Sequence, residues 1–143
     1  MSETAPVEQP RFALPTARLG VVWVLLLVLA FLGWLVVAPA VGVEPAGSHG
    51  GLMGALIALL IGAGSILLVG PWRPRPSGDL PTLWLLITVG RLFVTPACAL
   101  LLYFAARPPA GTYVLGIGSA YIALLILETT VIVHDMRRQL ETT

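Results

Sequence analysis

Four long apolar runs dominate the sequence. They cover residues 17–41, 49–70, 82–106 and 112–134. At 1.5 Å of rise per residue, a helix of about 20 residues crosses the hydrocarbon core of a bilayer. Each run is long enough to do so. The pattern predicts an all-α, polytopic membrane protein with a single transmembrane domain over 17–135. That domain is expected to be a four-transmembrane-helix antiparallel bundle, with polar tails over 1–16 and 136–143. Composition agrees: 57% of the 143 residues are hydrophobic and only 10% are charged, against about 25% charged in an average soluble domain. So little charge cannot solvate a globule, and the first expected partner is the lipid bilayer. The net charge is +1, which supplies no basic field for nucleic acid.

The runs are separated by helix-breaking segments. Residues 1–16 carry Pro6, Pro10 and Pro15 and read as a polar tail. Arg18 precedes the first run, and Ala38-Pro39-Ala40 loosely imitates a signal cleavage site. The run is longer than the 7–15 residues of a signal core, so it is expected to remain as the first span. Trp23 and Trp34 are placed near its two interfaces, where indole rings are enriched. Residues 43–48 read as a turn. The segment 71–81, Pro-Trp-Arg-Pro-Arg-Pro-Ser-Gly-Asp-Leu-Pro, cannot be helical throughout. Asp79 is a candidate cap for the third span, which Pro81 opens. Pro108 and Pro109 make the last turn.

Basic residues set the expected topology. All eight are Arg. Arg11, Arg18, Arg73, Arg75, Arg137 and Arg138 flank one side of the bundle, and only Arg107 flanks the other. The positive-inside rule then puts both termini in the cytoplasm, as a multi-pass protein of a bacterial cytoplasmic (inner) membrane.

Small residues mark helix contacts. Gly50, Gly54, Ala58 and Gly62 recur every fourth residue along the second run, and Gly116 and Ala120 do so along the fourth. Such ridges let helices approach closely where van der Waals packing drives association. Pro96 removes the hydrogen bond to the Leu92 carbonyl and is expected to kink the third span. Thr95 is a candidate to satisfy the freed backbone.

Two charges lie deep within the apolar runs, Arg91 in the third and Glu128 in the fourth. Charges at such depth are costly and normally face the bundle interior beside a partner. Arg91 lies roughly 13 Å from the cytoplasmic start of its span and Glu128 roughly 9 Å from the cytoplasmic end of its own. An extended Arg side chain spans that mismatch, so the two are expected to form an intramembrane ion pair. A lone membrane carboxylate can carry a proton, whereas a neighbouring guanidinium favours its charged form. The pair therefore argues for a structural or assembly role over an ion path.

Other polar residues suggest little chemistry. Glu128 and Asp135 share a helix face and form at most a weak oxygen-ligand cation site. His134 and Asp135 are adjacent and diverge. His49 reads as interfacial, and Cys98, the one cysteine, as an ordinary apolar-site residue. No phosphate loop, nucleophile elbow or zinc motif is present. A non-enzymatic protein is expected, without cofactor or metal; whether it forms homo-oligomers is left open.

In its four-span layout, with Trp84, Gly90, Arg91 and Phe93 opening the third span and Tyr103 near its end, the chain resembles the ATP synthase subunit I family of small bacterial membrane proteins. That pattern does not include the middle Pro-Arg loop, Pro96 or Glu128. The resemblance implies an accessory role, assisting assembly or stability of the membrane rotor, the c-ring, of F-type ATP synthase; a part in Mg²⁺ supply is also implied. The rival readings are a small ion, proton or solute transporter subunit using Glu128 and Arg91, and a structural subunit of another membrane complex. Small four-span drug exporters resemble a pattern with a carboxylate in the first span, and here that span carries no charge.

Overall fold

A computed structural model describes residues 11–12, 16–70, 75–76 and 80–141. The Asp79 cap, most of the proline-punctuated tail and most of the Pro-Arg loop lie outside the described residues. The protein is helical, with four helices long and apolar enough to span a membrane: Ala17–Ala40, Pro45–Leu68, Thr82–Ala106 and Ala110–Asp135. These are called the first to fourth spans below. Large apolar side chains such as Leu68, Phe93, Leu101 and Phe104 point outward, as a surface that meets lipid requires. The one sheet among the described residues is a short antiparallel pair. Arg11–Phe12 (β1) joins Arg75–Pro76 (β2), with Arg11 opposite Pro76 and Phe12 opposite Arg75.

Three boundaries differ from the sequence reading, each for a local reason. The second helix begins at Pro45, not at residue 49. Pro45 needs no intrahelical acceptor for a first-turn N–H and has φ preset for a helix, and the Ser48 N–H closes the first turn onto the Glu44 carbonyl at 3.0 Å. The first span widens into a π-helical segment over Gly33–Val37 before its last turn at Ala38–Ala40. The fourth helix does not stop at residue 134 but runs over Ala110–Glu141, because the residues after 134 include no Pro or Gly to break it. The third helix, Leu80–Ala106, stays continuous through Pro96. Two helix ends take a left-handed backbone: Gly70 ends the second helix at φ 68°, and Arg107 ends the third at φ 48°.

The packing is not that of a simple hairpin array. The second and fourth spans make the most extensive contact, and they run in the same direction. Gly54 abuts Tyr113 and Ile117, while Gly62 abuts Leu124 further along both helices. A Cβ on Gly116 would overlap the backbone of Gly51, and one on Gly54 would overlap the Tyr113 carbonyl. The predicted ridge therefore packs along the fourth span, but Gly51, off that ridge, is the point of nearest backbone approach. Trp34 covers Gly51 and Trp23 reaches Gly62. Both indoles thus fill notches in the second span, a packing role the interfacial reading did not include.

The apolar core joins Val22 and Leu26 of the first span, Ala55, Ala58 and Leu59 of the second, and Ala120 and Leu124 of the fourth. No side chain of the third span belongs to that cluster among the described residues. Its buried residues, Ile87, Arg91, Thr95 and Ala99, recur every fourth position and form one face.

Candidate functional site

The face of the third span that meets the bundle is half polar, and Arg91 is its centre. The side chain is 4% exposed and Glu128 is wholly buried. Arg91 Nη1 donates to Glu128 Oε2 at 2.5 Å and Nη2 to Oε1 at 3.3 Å. This two-point pairing matches the planar guanidinium to the carboxylate. Arg91 also reaches the second span. Nη2 donates to the Gly62 carbonyl at 2.9 Å, and Nε donates to the Ser65 hydroxyl. Ser65 in turn donates to the Gly62 carbonyl at 2.6 Å. One guanidinium therefore links three helices.

Local sequence explains the arrangement. Gly62 has no side chain to shield its carbonyl, and Ser65, three residues on, shares its helix face. Residue spacing draws attention to Gly62 as a packing notch but gives no sign that its carbonyl receives Arg91. Ser65 was missed altogether. Its one signal is a hydroxyl in an apolar run, which usually satisfies itself on its own helix.

A second polar contact fastens the third span nearer its end. Tyr113 Oη donates to the Ala99 carbonyl at 2.8 Å, and the Tyr113 and Tyr103 rings lie with centroids 6.1 Å apart. At the opposite end of the bundle Arg18 of the first span pairs with Asp135 of the fourth. Glu128 and Asp135 are thus each held by a guanidinium, which leaves the paired-carboxylate cation reading without free ligands. His134 is exposed, and His49 Nδ1 donates to the Pro45 carbonyl at 2.6 Å. Cys98 is half-buried. Thr95 does not satisfy backbone near Pro96: its hydroxyl is buried and has no hydrogen-bond partner among the described residues. Of the small residues, Gly50 packs on Pro109 and Thr112, while Ala58 and Ala120 are enclosed in the core.

No protein-family model, curated protein or solved structure matches this chain. The resemblance to ATP synthase subunit I therefore rests on its residues alone.

Proposed function

We propose that the protein is a non-enzymatic accessory subunit of a bacterial inner-membrane complex, and that the complex is the F-type ATP synthase, whose c-ring it helps assemble or stabilise. The observation that carries this reading is the enclosure of the Arg91–Glu128 pair. Glu128 is wholly buried and doubly bonded by Arg91, which the second span also holds. A carboxylate that relays ions must exchange partners with a water-filled path; one locked among three helices suits a rigid scaffold. The likeness of Trp84, Gly90, Arg91, Phe93 and Tyr103 to the subunit I pattern supports the choice of complex.

In this reading both termini face the cytoplasm and successive spans alternate in direction. The Arg18–Asp135 pair and the joining of Arg11–Phe12 to Arg75–Pro76 support it, since they gather the basic segments at one end. Affinity capture from native membranes tests the role. Rotor and stator subunits of ATP synthase are expected to co-purify with the tagged chain, and c-ring yield is expected to fall when its gene is deleted. Capture of a different complex with normal c-rings would overturn it. Substrate-dependent proton release from the purified protein would favour transport instead.

A further inference from the structure

The first span parts from the bundle midway along its length. In its first half Leu19, Val22 and Leu26 are buried, and Arg18 pairs with Asp135 of the fourth span. Beyond Leu26, the described residues of this span include one buried side chain, Ala38. The change coincides with Pro39. A proline has no N–H to give the Leu35 carbonyl, and its ring crowds that oxygen. The turn before it opens into the π-helical segment Gly33–Val37, where the Ala38 N–H reaches back to the Gly33 carbonyl. Widened turns of this kind often mark functional sites.

A groove of about 410 Å³ opens where the first span departs. It extends from Leu26 to Val41, and Gly33 and Val37 of the π-helical segment line it. The second span supplies its floor with Ala55 and Leu59, both buried, and the fourth span adds Ala123. Leu29, Val37 and Val41 at the rim are exposed, so the groove opens toward lipid. Apart from the Trp34 indole, its one polar side chain among the described residues is Ser119. That hydroxyl already donates to the Gly116 carbonyl at 3.2 Å. A buried water needs two to four polar partners, and these walls do not supply them.

Length and width decide what fits. From Leu26 to Val41 the first span rises roughly 22 Å. One leaflet of a bilayer, headgroup zone included, is roughly 20–22 Å deep. Leu26 lies roughly 14 Å from the N-terminal end of its span, so the groove begins near the midplane and ends at the opposite surface. A helix of that length would fill roughly 1,700 Å³, far more than the groove holds. A hydrocarbon chain is much thinner, and lipid tails are as apolar as Leu. We propose that the groove seats one acyl chain of a phospholipid from the leaflet remote from the N-terminus. Its methyl end lies at Leu26 and its ester end by Val41 and Val43. The chain supplies the dispersion contacts that small wall residues leave unmade. It joins the second half of the first span to the fourth span, as Arg18–Asp135 joins them at the other end.

Native mass spectrometry of the protein released from detergent micelles is expected to show one phospholipid retained per chain. A Cβ on Gly33 meets no atom within 4 Å, so Gly33→Leu has room to fold and to fill the groove, and it is expected to lose that lipid. A Cβ on Gly90 of the third span also meets open space, and Gly90→Leu, away from the groove, is expected to keep it. A parent protein that retains no lipid, or a Gly33→Leu protein that retains as much as the parent, overturns the proposal. Photolabelling of the unaltered protein in phosphatidylcholine vesicles gives an independent reading. A diazirine near the methyl end of the acyl chain is expected to label Leu26 and Leu59 above outward residues such as Leu85 and Leu115, and one near the ester to label Val41 and Val43. Labelling spread evenly over all of these, as from lipid that only surrounds the protein, overturns it. A disulfide between two copies carrying Ala123→Cys and Cys98→Ala would place a second copy in the groove and overturn it too.

Discussion

A single guanidinium sets the energetics of the third span. Its buried apolar residues are only Ile87 and Ala99, so Arg91 carries much of what fastens it. Removing one member of a buried pair strands the other charge, which costs about 3–5 kcal/mol, whereas replacing both by apolar groups is often neutral or better. Arg91→Ala is therefore expected to lose about that much stability, and Arg91→Leu with Glu128→Leu to regain most of it. Denaturant titration of the two single variants and the double variant measures the coupling. A loss in the double variant equal to the sum of the two single losses would show that the pair is not what matters. The Arg18–Asp135 pair is different, because Arg18 is about half exposed. Asp135→Asn is expected to cost at most about 1 kcal/mol, and less in high salt. At this scale much could be read in advance. Two charges in apolar runs need partners, and depth along the helices brings Arg91 and Glu128 within reach. The Gly62 carbonyl and Ser65 could not be read, because any backbone carbonyl in an apolar run looks like any other until a donor is placed beside it.

Among the helices, glycine positions separate contact faces from lipid faces. Gly116 and Gly54 meet backbone where a Cβ would stand, while Gly90 and Gly118 face open space. Gly116→Ala and Gly54→Ala are expected to destabilise by about 1–3 kcal/mol through forced separation of the second and fourth spans. Gly90→Ala and Gly118→Ala are expected to be neutral or to stabilise by up to about 1 kcal/mol, since alanine favours helix. Thermal melts of the four variants in micelles check the contrast. Four-residue spacing in the sequence marks Gly50, Gly54, Ala58, Gly62, Gly116 and Ala120 as small-residue faces. It does not mark Gly51, whose exposure to Gly116 and Trp34 depends on how two non-consecutive helices cross. Helix ends were legible only where a breaker stands. The fourth helix ran past its expected end because polarity alone does not stop a helix.

For the molecule as a whole, the apolar runs specify four membrane-length helices, since length and hydropathy are local properties. The choice of which helices touch is a global one. All four runs have apolar residues on every side, so no stripe singles out a neighbour, and the parallel contact of the second and fourth spans was not legible. The proposed orientation makes its own prediction. With Cys98 replaced by Ala, an impermeant thiol reagent added outside intact cells is expected to label a cysteine at Ala110 and not one at Arg137. The reverse pattern would invert the topology.

The tie between Arg91 and Glu128 joins residues 37 positions apart in the chain. During synthesis the third span leaves the ribosome before its counter-charge exists. Until the fourth span arrives, an unpaired arginine at mid-span costs about 2.5–3.5 kcal/mol of insertion free energy, and Gly62 and Ser65 of the second span are the partners already present. Insertion of the third span is thus provisional, and the fourth span makes it permanent. A chain truncated after residue 106 is expected to leave its third segment only partly inserted, and glycosylation-site mapping in microsomes would reveal the mixed population.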